Sequence, residues 1–311
     1  MALPLAEAAK LSNDVLLKGV IETIITESQL LQHLPFIDIV GNGLTYNRES
    51  TLPAAGFYSP NDTWVESTPT FTQHTATLSI LGGDADVDEF LRQTRSNIQN
   101  LKSIVTEMKA KAVARKFDDT FIYGNTTSDS KSFNGVHALV ASGATHQVHA
   151  VASAAGAAGS IKKLKALTRL VLPGEADFLI MRRNTLDNLS DYAERNYSPI
   201  KFVVGDFGKP VPMFKGIPIL TSDWILQTEL CDSNGAYTAK LTGTTTSIFA
   251  AKFGEGKLVG CQNGGVNTKD LGDLETKDAT RTRIKWYCSC ALFSELALAR
   301  YDGITDAAWG A

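Results

Sequence analysis

The sequence predicts a mixed α+β protein in which strands and one long helix occupy separate parts of the chain. Residues 70–80 alternate between apolar and polar side chains, which is the period of a strand with one buried face. Apolar residues then recur at helical spacing between Val87 and Ala112. Short β-rich segments separated by glycine and proline follow in the second half of the chain.

Length and composition predict a globular protein with two subdomains. The chain has 311 residues, of which 43% are hydrophobic and 20% charged, so a sizeable core is available. The net charge of −3 argues against a protein whose main work is neutralising phosphates, but it does not exclude a container that merely encloses DNA. Because we find neither a run of about 18 apolar residues nor a signal peptide, we expect a soluble, cytoplasmic chain without membrane contact.

A helix is expected within residues 15–25, followed by an extended arm. Residues 44–80 then predict a long two-stranded hairpin with a polar tip containing Pro53, Gly56 and Pro60. An isolated two-stranded hairpin is hardly stable in water, so this one requires a partner surface.

The long helix is predicted from residue 86 to residue 118, after an interruption at Gly82 and Gly83 and with Asp84 or Asp86 as its cap. Such a helix would be about 50 Å long. Its cations crowd the C-terminal half, where the helix dipole favours positive charge. They are Lys102, Lys109, Lys111, Arg115 and Lys116.

The remaining chain predicts an α/β region and two terminal strands. Helices are expected at 160–170 and from about residue 184. Strands are expected at 177–181, 200–204, 217–220, 245–251, 257–261, 280–289 and 292–300.

No motif predicts a catalytic residue, a cofactor site or a metal site. Asp84-Ala-Asp86-Val-Asp88 opens like a calcium loop, but Glu89 and Arg95 stand where that loop needs glycine and glutamate. We therefore interpret these aspartates as the acidic first turn of the long helix. His146 and His149 have helical ligand spacing without a nearby partner, which favours a solvated loop.

The four cysteines are too scattered for a disulfide framework or a zinc site, and we expect buried thiols. Cys288 and Cys290 would share one face of a strand. We find no GxSxG or HExxH sequence, although a triad of distant residues stays open. A hydrolase or transferase is therefore the class-different alternative, without a supporting motif.

The order of these parts resembles the HK97-like major capsid proteins of tailed bacteriophages. The resemblance is carried by Ser28-Gln-Leu-Leu-Gln-His-Leu-Pro-Phe36, Gly43-Leu-Thr-Tyr-Asn-Arg-Glu49, Asp118-Asp-Thr-Phe-Ile-Tyr-Gly-Asn125, Phe133-Asn-Gly-Val136 and Ala299-Arg-Tyr-Asp-Gly-Ile304. It covers nearly the whole chain in order. It implies an N-terminal arm (1–42), an E-loop β-hairpin (43–83), a P-domain with the long spine helix (84–138), an α/β A-domain (139–257) and P-domain return strands (258–311).

The resemblance implies a structural protein that self-assembles into hexamers and pentamers of an icosahedral virion capsid. That shell would be assembled in the host cytoplasm and enclose double-stranded DNA without sequence-specific binding. The alternative is an encapsulin-like compartment that encloses cargo enzymes. A portal is an expected partner, and decoration proteins are a further candidate.

Two departures from the family alter these expectations. Some members crosslink subunits through a hairpin lysine, but no lysine occurs between Gly19 and Leu101. The chain also lacks the long charged N-terminal extension that serves some members as a scaffold, so a separate scaffolding protein is expected.

The candidate interface residues lie on the hairpin and on the long helix. Aromatic side chains concentrate interface energy, so Phe57, Tyr58 and Trp64 are predicted to include the anchor on a neighbouring subunit. A second hypothesis pairs acidic residues of the hairpin with cations of a neighbour's helix, and solvation of those cations is its equal alternative. The residues of this second hypothesis are Glu49, Asp62, Glu66, Lys109 and Arg115.

Overall fold

The computed structural model describes residues 24, 28–51, 53–89, 101–140, 146–196, 200–204 and 210–310. The helix predicted at 15–25 lies outside the described residues, except for Ile24, which is helical and fully buried.

The described helices are α1 (Gln29–His33), α2 (Leu101–Tyr123), α3 (Val136–Leu139), α4 (Ile161–Leu170) and α5 (Arg183–Asn196). The strands are β1 (Phe36–Asp38), β2 (Gly43–Thr51), β3 (Thr70–Thr77), β4 (Ser79–Asp88), β5 (Gln147–His149), β6 (Ala157–Ser160), β7 (Phe178–Met181), β8 (Ile200–Val204), β9 (Pro210–Phe214), β10 (Ile217–Thr221), β11 (Leu230–Cys231), β12 (Tyr237–Ala239), β13 (Thr245–Ala251), β14 (Leu258–Leu274), β15 (Lys277–Leu292) and β16 (Leu298–Gly310). The predicted α+β class is confirmed.

The spine helix α2 packs on a sheet built around the long antiparallel hairpin β14–β15. The strand order is β1-β14-β15-β4, with β1 parallel to β14. Phe117 is fully buried near the end of α2, and its ring lies 4.8 Å from the fully buried Trp286 of β15 and 6.0 Å from Phe36 of β1. The arm is tied to the same helix, because the Ser28 hydroxyl caps α1 and donates to the Asp118 carboxylate over 2.7 Å.

The predicted start of the long helix at residue 86 is wrong. Strand β4 continues through both glycines to Asp88 and pairs antiparallel with β15. A Cβ at Gly82 would strike the Ile284 carbonyl, and one at Gly83 would strike the Lys109 side chain. The glycines therefore permit close approach of a strand and a helix instead of ending an element. The helix also runs beyond residue 118, to Tyr123, and its described part is about 35 Å long.

The aspartates read as a helical first turn are strand residues with arginine partners. Asp84 accepts two hydrogen bonds from Arg283, at 2.6 and 2.8 Å, and Asp86 accepts two from Arg281, each 2.7 Å long. These hydrogen bonds, more than the accompanying charge, hold the pKa of both carboxyl groups below the usual range. Because Asp84 and Asp86 lie in a paired strand and bind arginines, these residues do not form a calcium-binding loop.

The α/β region is a mixed sheet of order β5-β16-β13-β7-β10-β9-β8, with β6 also on β16. Helices α4 and α5 cover one face, where Leu164 and Leu189 join Ile248 and Ala250 in one core cluster. Phe249, which lies between Ile248 and Ala250 in the sequence, faces the core of the spine helix instead. Every residue of β13 is buried, and its side chains contribute to both core clusters.

A buried polar cluster fastens the terminal strand to the spine helix. The Tyr123 hydroxyl at the end of α2 donates to Glu229 over 2.6 Å, and His137 Nε2 lies 3.2 Å from the same carboxylate. Arg300 of β16 donates to the His137 carbonyl over 2.9 Å and to Asp302 over 2.9 Å. The segments that carry the family resemblance at 118–125 and 299–304 therefore meet in space.

All four cysteines are free and buried, as predicted. Burial raises the pKa of the Cys261 thiol to about 11 and raises that of Cys288 further. Cys288 and Cys290 share the inner face of β15. Thiols of this kind are protonated at neutral pH and therefore unreactive.

Phe117→Ala should destabilise the unassembled subunit by about 3–5 kcal/mol, because it leaves a cavity among several aromatic rings. Chemical unfolding would measure this loss. The control is Met108→Ala on the same helix, where 66% of the side chain is exposed and the change should stay within about 0.5 kcal/mol. Equal midpoints for the two variants would contradict the placement of Phe117 in the core.

Candidate assembly surface

The first part of the hairpin β2–β3 rests on the body of the subunit. Along β2, Leu44, Tyr46 and Arg48 face inward and the residues between them are exposed. Leu44 and Tyr46 pack against a small core cluster, and the Tyr46 ring lies 4.7 Å from the ring of Phe293. Across the hairpin, His74 pairs with Tyr46 and Ala76 with Leu44. The alternation of residues along the hairpin therefore gives it one face that packs on the body of the subunit and one face that is exposed.

Arg48 forms the last inward contact in the part of β2 whose side chains the structure describes. Its side chain is 9% exposed, and it donates to the Leu292 carbonyl from Nε (2.9 Å) and from a terminal nitrogen (2.5 Å). The other terminal nitrogen reaches Glu295 over 3.0 Å. A guanidinium with this many partners is a rigid clamp between the hairpin and the loop that follows β15.

His74 and Tyr46, which pair across the hairpin, lie beside the Arg48 guanidinium. Burial lowers the pKa of His74, and the Arg48 charge lowers it further. The imidazole is therefore neutral at pH 7 and stacks on the Tyr46 ring at 6.0 Å.

Beyond Arg48 the hairpin leaves the body. The strands separate after Thr51 and before Thr70, and the described residues between them form no strand. Among the described residues from β2 through β3, four large apolar side chains are more than 60% exposed, and exposed apolar surface of this kind marks an interaction site. They are Phe57, Trp64, Val65 and Phe71.

The tip has a defined local structure. Tyr58 stacks on Trp64 with ring centroids 4.2 Å apart, and its hydroxyl accepts a hydrogen bond from the Val65 amide over 3.4 Å. Asp62 accepts from the Ser59 amide over 2.6 Å and closes the turn. Trp64 stays 77% exposed despite the stack. The tip therefore presents an ordered aromatic surface, which lowers the entropy cost of docking.

The free part of the hairpin is acidic. Residues 49–73 contain three carboxylates and no lysine or arginine. The nearest hairpin cation, Arg48, is paired with Glu295. Glu49 lies on the outer face of β2 opposite Phe71, Asp62 closes the turn and Glu66 is exposed beside Val65.

Several cations of the spine helix have partners inside the subunit. Lys102 binds Asp270, Lys111 lies 2.9 Å from Glu107, and Lys116 lies 3.7 Å from Asp119. The stem of Lys109 lies against Gly83, and its charge acts on Asp84. Arg115 is exposed. The sequence of the helix alone does not indicate two of these acidic residues, because Asp270 belongs to β14 and Asp84 to β4.

Sequence reasoning named the tip aromatics but missed Arg48, Val65 and Phe71. The place of Arg48 on the inward face of β2 is readable from the alternation of the strand. Its acceptors, Leu292 and Glu295, lie more than 240 positions away, and no local pattern indicates them.

Among the described residues, no cluster of three or more histidine, cysteine, aspartate or glutamate side chains has the arrangement of a metal site. None of the described helices is long and apolar enough to cross a membrane.

These elements define an HK97-type shell subunit: an arm, a hairpin that leaves the body, a spine helix and an α/β region on a shared core. The model of the phage capsid family matches residues 11–300. The chain therefore belongs to the phage capsid family, and the predicted fold is confirmed.

Solved structures have the same fold at low sequence identity. The SrpI encapsulin of Synechococcus elongatus PCC 7942 is 19% identical with a TM-score of 0.64, and the match covers 100% of this chain and 99% of the encapsulin. The capsid of a native GTA particle is 13% identical with a TM-score of 0.63, covering 90% and 91% of the two chains. The structure of Microbacterium phage Oxtober96 is 13% identical with a TM-score of 0.63, covering 89% and 90%. No curated protein sequence matches the chain.

Trp64→Ala should impair assembly, because truncation of an interface hot spot costs about 2 kcal/mol per contact and a shell repeats that contact. The yield of particles by sedimentation would measure the effect. Leu241→Ala is the control, since Leu241 is 57% exposed but lies outside the hairpin. Normal yield from the Trp64 variant would remove this residue from the interface.

Arg115→Glu should slow assembly at low ionic strength and have little effect at high salt, since exposed ion pairs contribute only about 0–1 kcal/mol and are screened. Lys109→Glu should instead destabilise the unassembled subunit, because it sets a carboxylate beside Asp84. Light scattering and thermal unfolding separate these effects. If the Arg115 variant assembles like the parent at low salt, this cation does not guide docking.

Proposed function

We propose that this chain is a major capsid protein that self-assembles as hexamers and pentamers into an icosahedral shell around phage double-stranded DNA. Membership of the phage capsid family supports the shell. The observation that carries the proposal is the segment 49–73, which leaves the body at Arg48 and exposes aromatic and aliphatic side chains.

Physical chemistry links this segment to assembly. Apolar side chains that find no cover on their own subunit gain free energy when a neighbour covers them, by about 25 cal/mol per Å². A projecting hairpin that docks on the next copy makes a heterologous contact, and such contacts close into rings when the rotation allows. The role is structural, and we propose no enzymatic activity.

The partners follow from the same role. A net charge of −3 fits a container that encloses DNA without reading its sequence. A portal and a separate scaffolding protein are proposed partners, with decoration proteins as a further candidate. Assembly would take place in the host cytoplasm, and the product would be the virion capsid.

An encapsulin-like compartment is the second candidate. The observation that favours it is the match to the SrpI encapsulin over essentially the whole of both chains. The two functions differ in what the shell contains.

The deciding experiment purifies particles from the native host, treats them with nuclease and analyses their contents. Electron microscopy should show closed shells, and protected DNA of uniform length should be released on disruption. An enzyme as the main content would favour the second candidate. A monodisperse monomer under all conditions would contradict both.

Mature particles should separate into monomers in a denaturing gel, because no lysine between Gly19 and Leu101 supplies an amine for a hairpin crosslink. Boiled particles would be compared with unassembled subunits on the same gel. A ladder of covalent multimers would contradict cohesion by noncovalent contacts alone.

A further inference from the structure

Helix α4 carries a basic stripe on its outer face. Its inner face is buried through Ile161, Leu164 and Leu167. Lys162, Lys165 and Arg169 lie within a sector of about 60° on the other side, by the helical repeat of 3.6 residues. The helix contains no acidic residue.

The fourth cation of α4 has a different task. Lys163 donates to the carbonyls of His149, over 2.7 Å, and Ala150, so it fastens the helix to the segment that ends β5. The basic stripe is therefore the set Lys162, Lys165 and Arg169. In the described part of the chain none of these three forms an ion pair.

Helix α5 carries an acidic stripe of the same length. Asp187, Asp191 and Glu194 are exposed and also share a sector of about 60°. Each stripe spans seven residue steps, or about 10 Å along its helix. As with the basic stripe, no ion pair to these carboxylates occurs within the described residues. Arg183 and Arg195 flank the acids at the two ends of α5.

Both helices cover the same face of the same sheet, since their buried leucines belong to one cluster. Helix α4 packs on β5, β6 and β16, whereas α5 packs on β16. Each subunit therefore presents a positive and a negative helix in one layer. Two such surfaces on one molecule are what a head-to-tail contact between identical subunits requires.

We propose that the basic stripe of α4 docks against the acidic stripe of α5 on a neighbouring copy of this chain. This inference rests on the proposed self-assembly and names one of its contacts. The three charges of one stripe match the three of the other in number and spacing. A shift by one helical turn would bring a cation against Arg183 or Arg195, so the flanking arginines select the register.

A nucleic acid is the other polyanion that a basic helix could bind. The acidic stripe lies in the same layer and would repel a phosphate backbone that approached α4 broadly. A second copy of the chain satisfies both stripes, whereas DNA satisfies one.

Charge reversal tests the pairing directly. One variant carries Lys162→Glu, Lys165→Glu and Arg169→Glu, a second carries Asp187→Lys, Asp191→Lys and Glu194→Lys, and a third carries all six substitutions. The third variant has the same net charge as the parent, so it is the matched control for the change of net charge in the other two. All substitutions are on exposed or half-exposed positions, and thermal unfolding of the unassembled subunits checks that each variant folds.

Each of the two variants with one reversed stripe should assemble about tenfold more slowly than the parent at low ionic strength. The assembly rate of the six-residue variant should return to within about twofold of the parent's. An equal mixture of the two reversed variants tests the geometry of the contact, because each variant can pair only with the other. Alternating subunits can satisfy every contact in a ring of six but not in a ring of five, so the mixture should form hexamers without closed shells.

Three results would overturn the inference: parental rates in both reversed variants, slow assembly that the six-residue variant does not restore, or normal shells that lose only their DNA when α4 is reversed. The last would assign the basic stripe to nucleic acid. If the parent itself never assembles under conditions that suit its scaffold, the proposed function fails instead.

Discussion

The Arg48 clamp is the contact on which the assembly surface depends. Three hydrogen bonds from one buried guanidinium hold the base of the hairpin to the end of β15, through the Leu292 carbonyl, and to Glu295 beyond it. Hydrogen bonds to a charged group are about twice as strong as neutral ones, and the two that Arg48 donates to the Leu292 carbonyl are buried. Because the clamp holds β2 close to the place where the hairpin leaves the body, it fixes the point and the direction at which segment 49–73 leaves the subunit. A rigid base lowers the entropy cost of docking for segment 49–73, because a neighbour then binds one preorganised conformation instead of an ensemble.

The body supplies the rigidity that the clamp needs. Leu292 is the last residue of strand β15 and Glu295 follows it closely, and β15 is paired on both sides and packed against the spine helix through Trp286 and Phe117. The polar cluster around Glu229 and Arg300 then connects the end of that helix to strand β16 of the α/β region. Hairpin, spine and α/β region are therefore linked through contiguous packing, and a load on the hairpin is transmitted to the whole subunit.

Local sequence patterns predicted the elements whose periodicity is set by one continuous buried face. Alternation gave the hairpin strands, and helical spacing gave most of α2, α4 and α5. The same patterns failed at residues 84–88, because strand β4 is held by Arg281 and Arg283, almost two hundred positions away. They also gave no sign of the Arg48 acceptors. In the candidate surface, exposed aromatics were readable from composition, whereas the direction of the hairpin and the partners of the helix cations are set by tertiary contacts.

The central claim is that a neighbouring subunit covers the distal hairpin in the assembled particle. Trp64 reports on this directly, because it is 77% exposed in the subunit, whereas Trp286 and Trp309 are buried and Trp224 is partly buried. Acrylamide quenching of tryptophan fluorescence should fall when subunits assemble, and Trp64→Phe should remove most of that change. Unchanged quenching in assembled parent particles would show that the hairpin tip remains in solvent and would contradict the account.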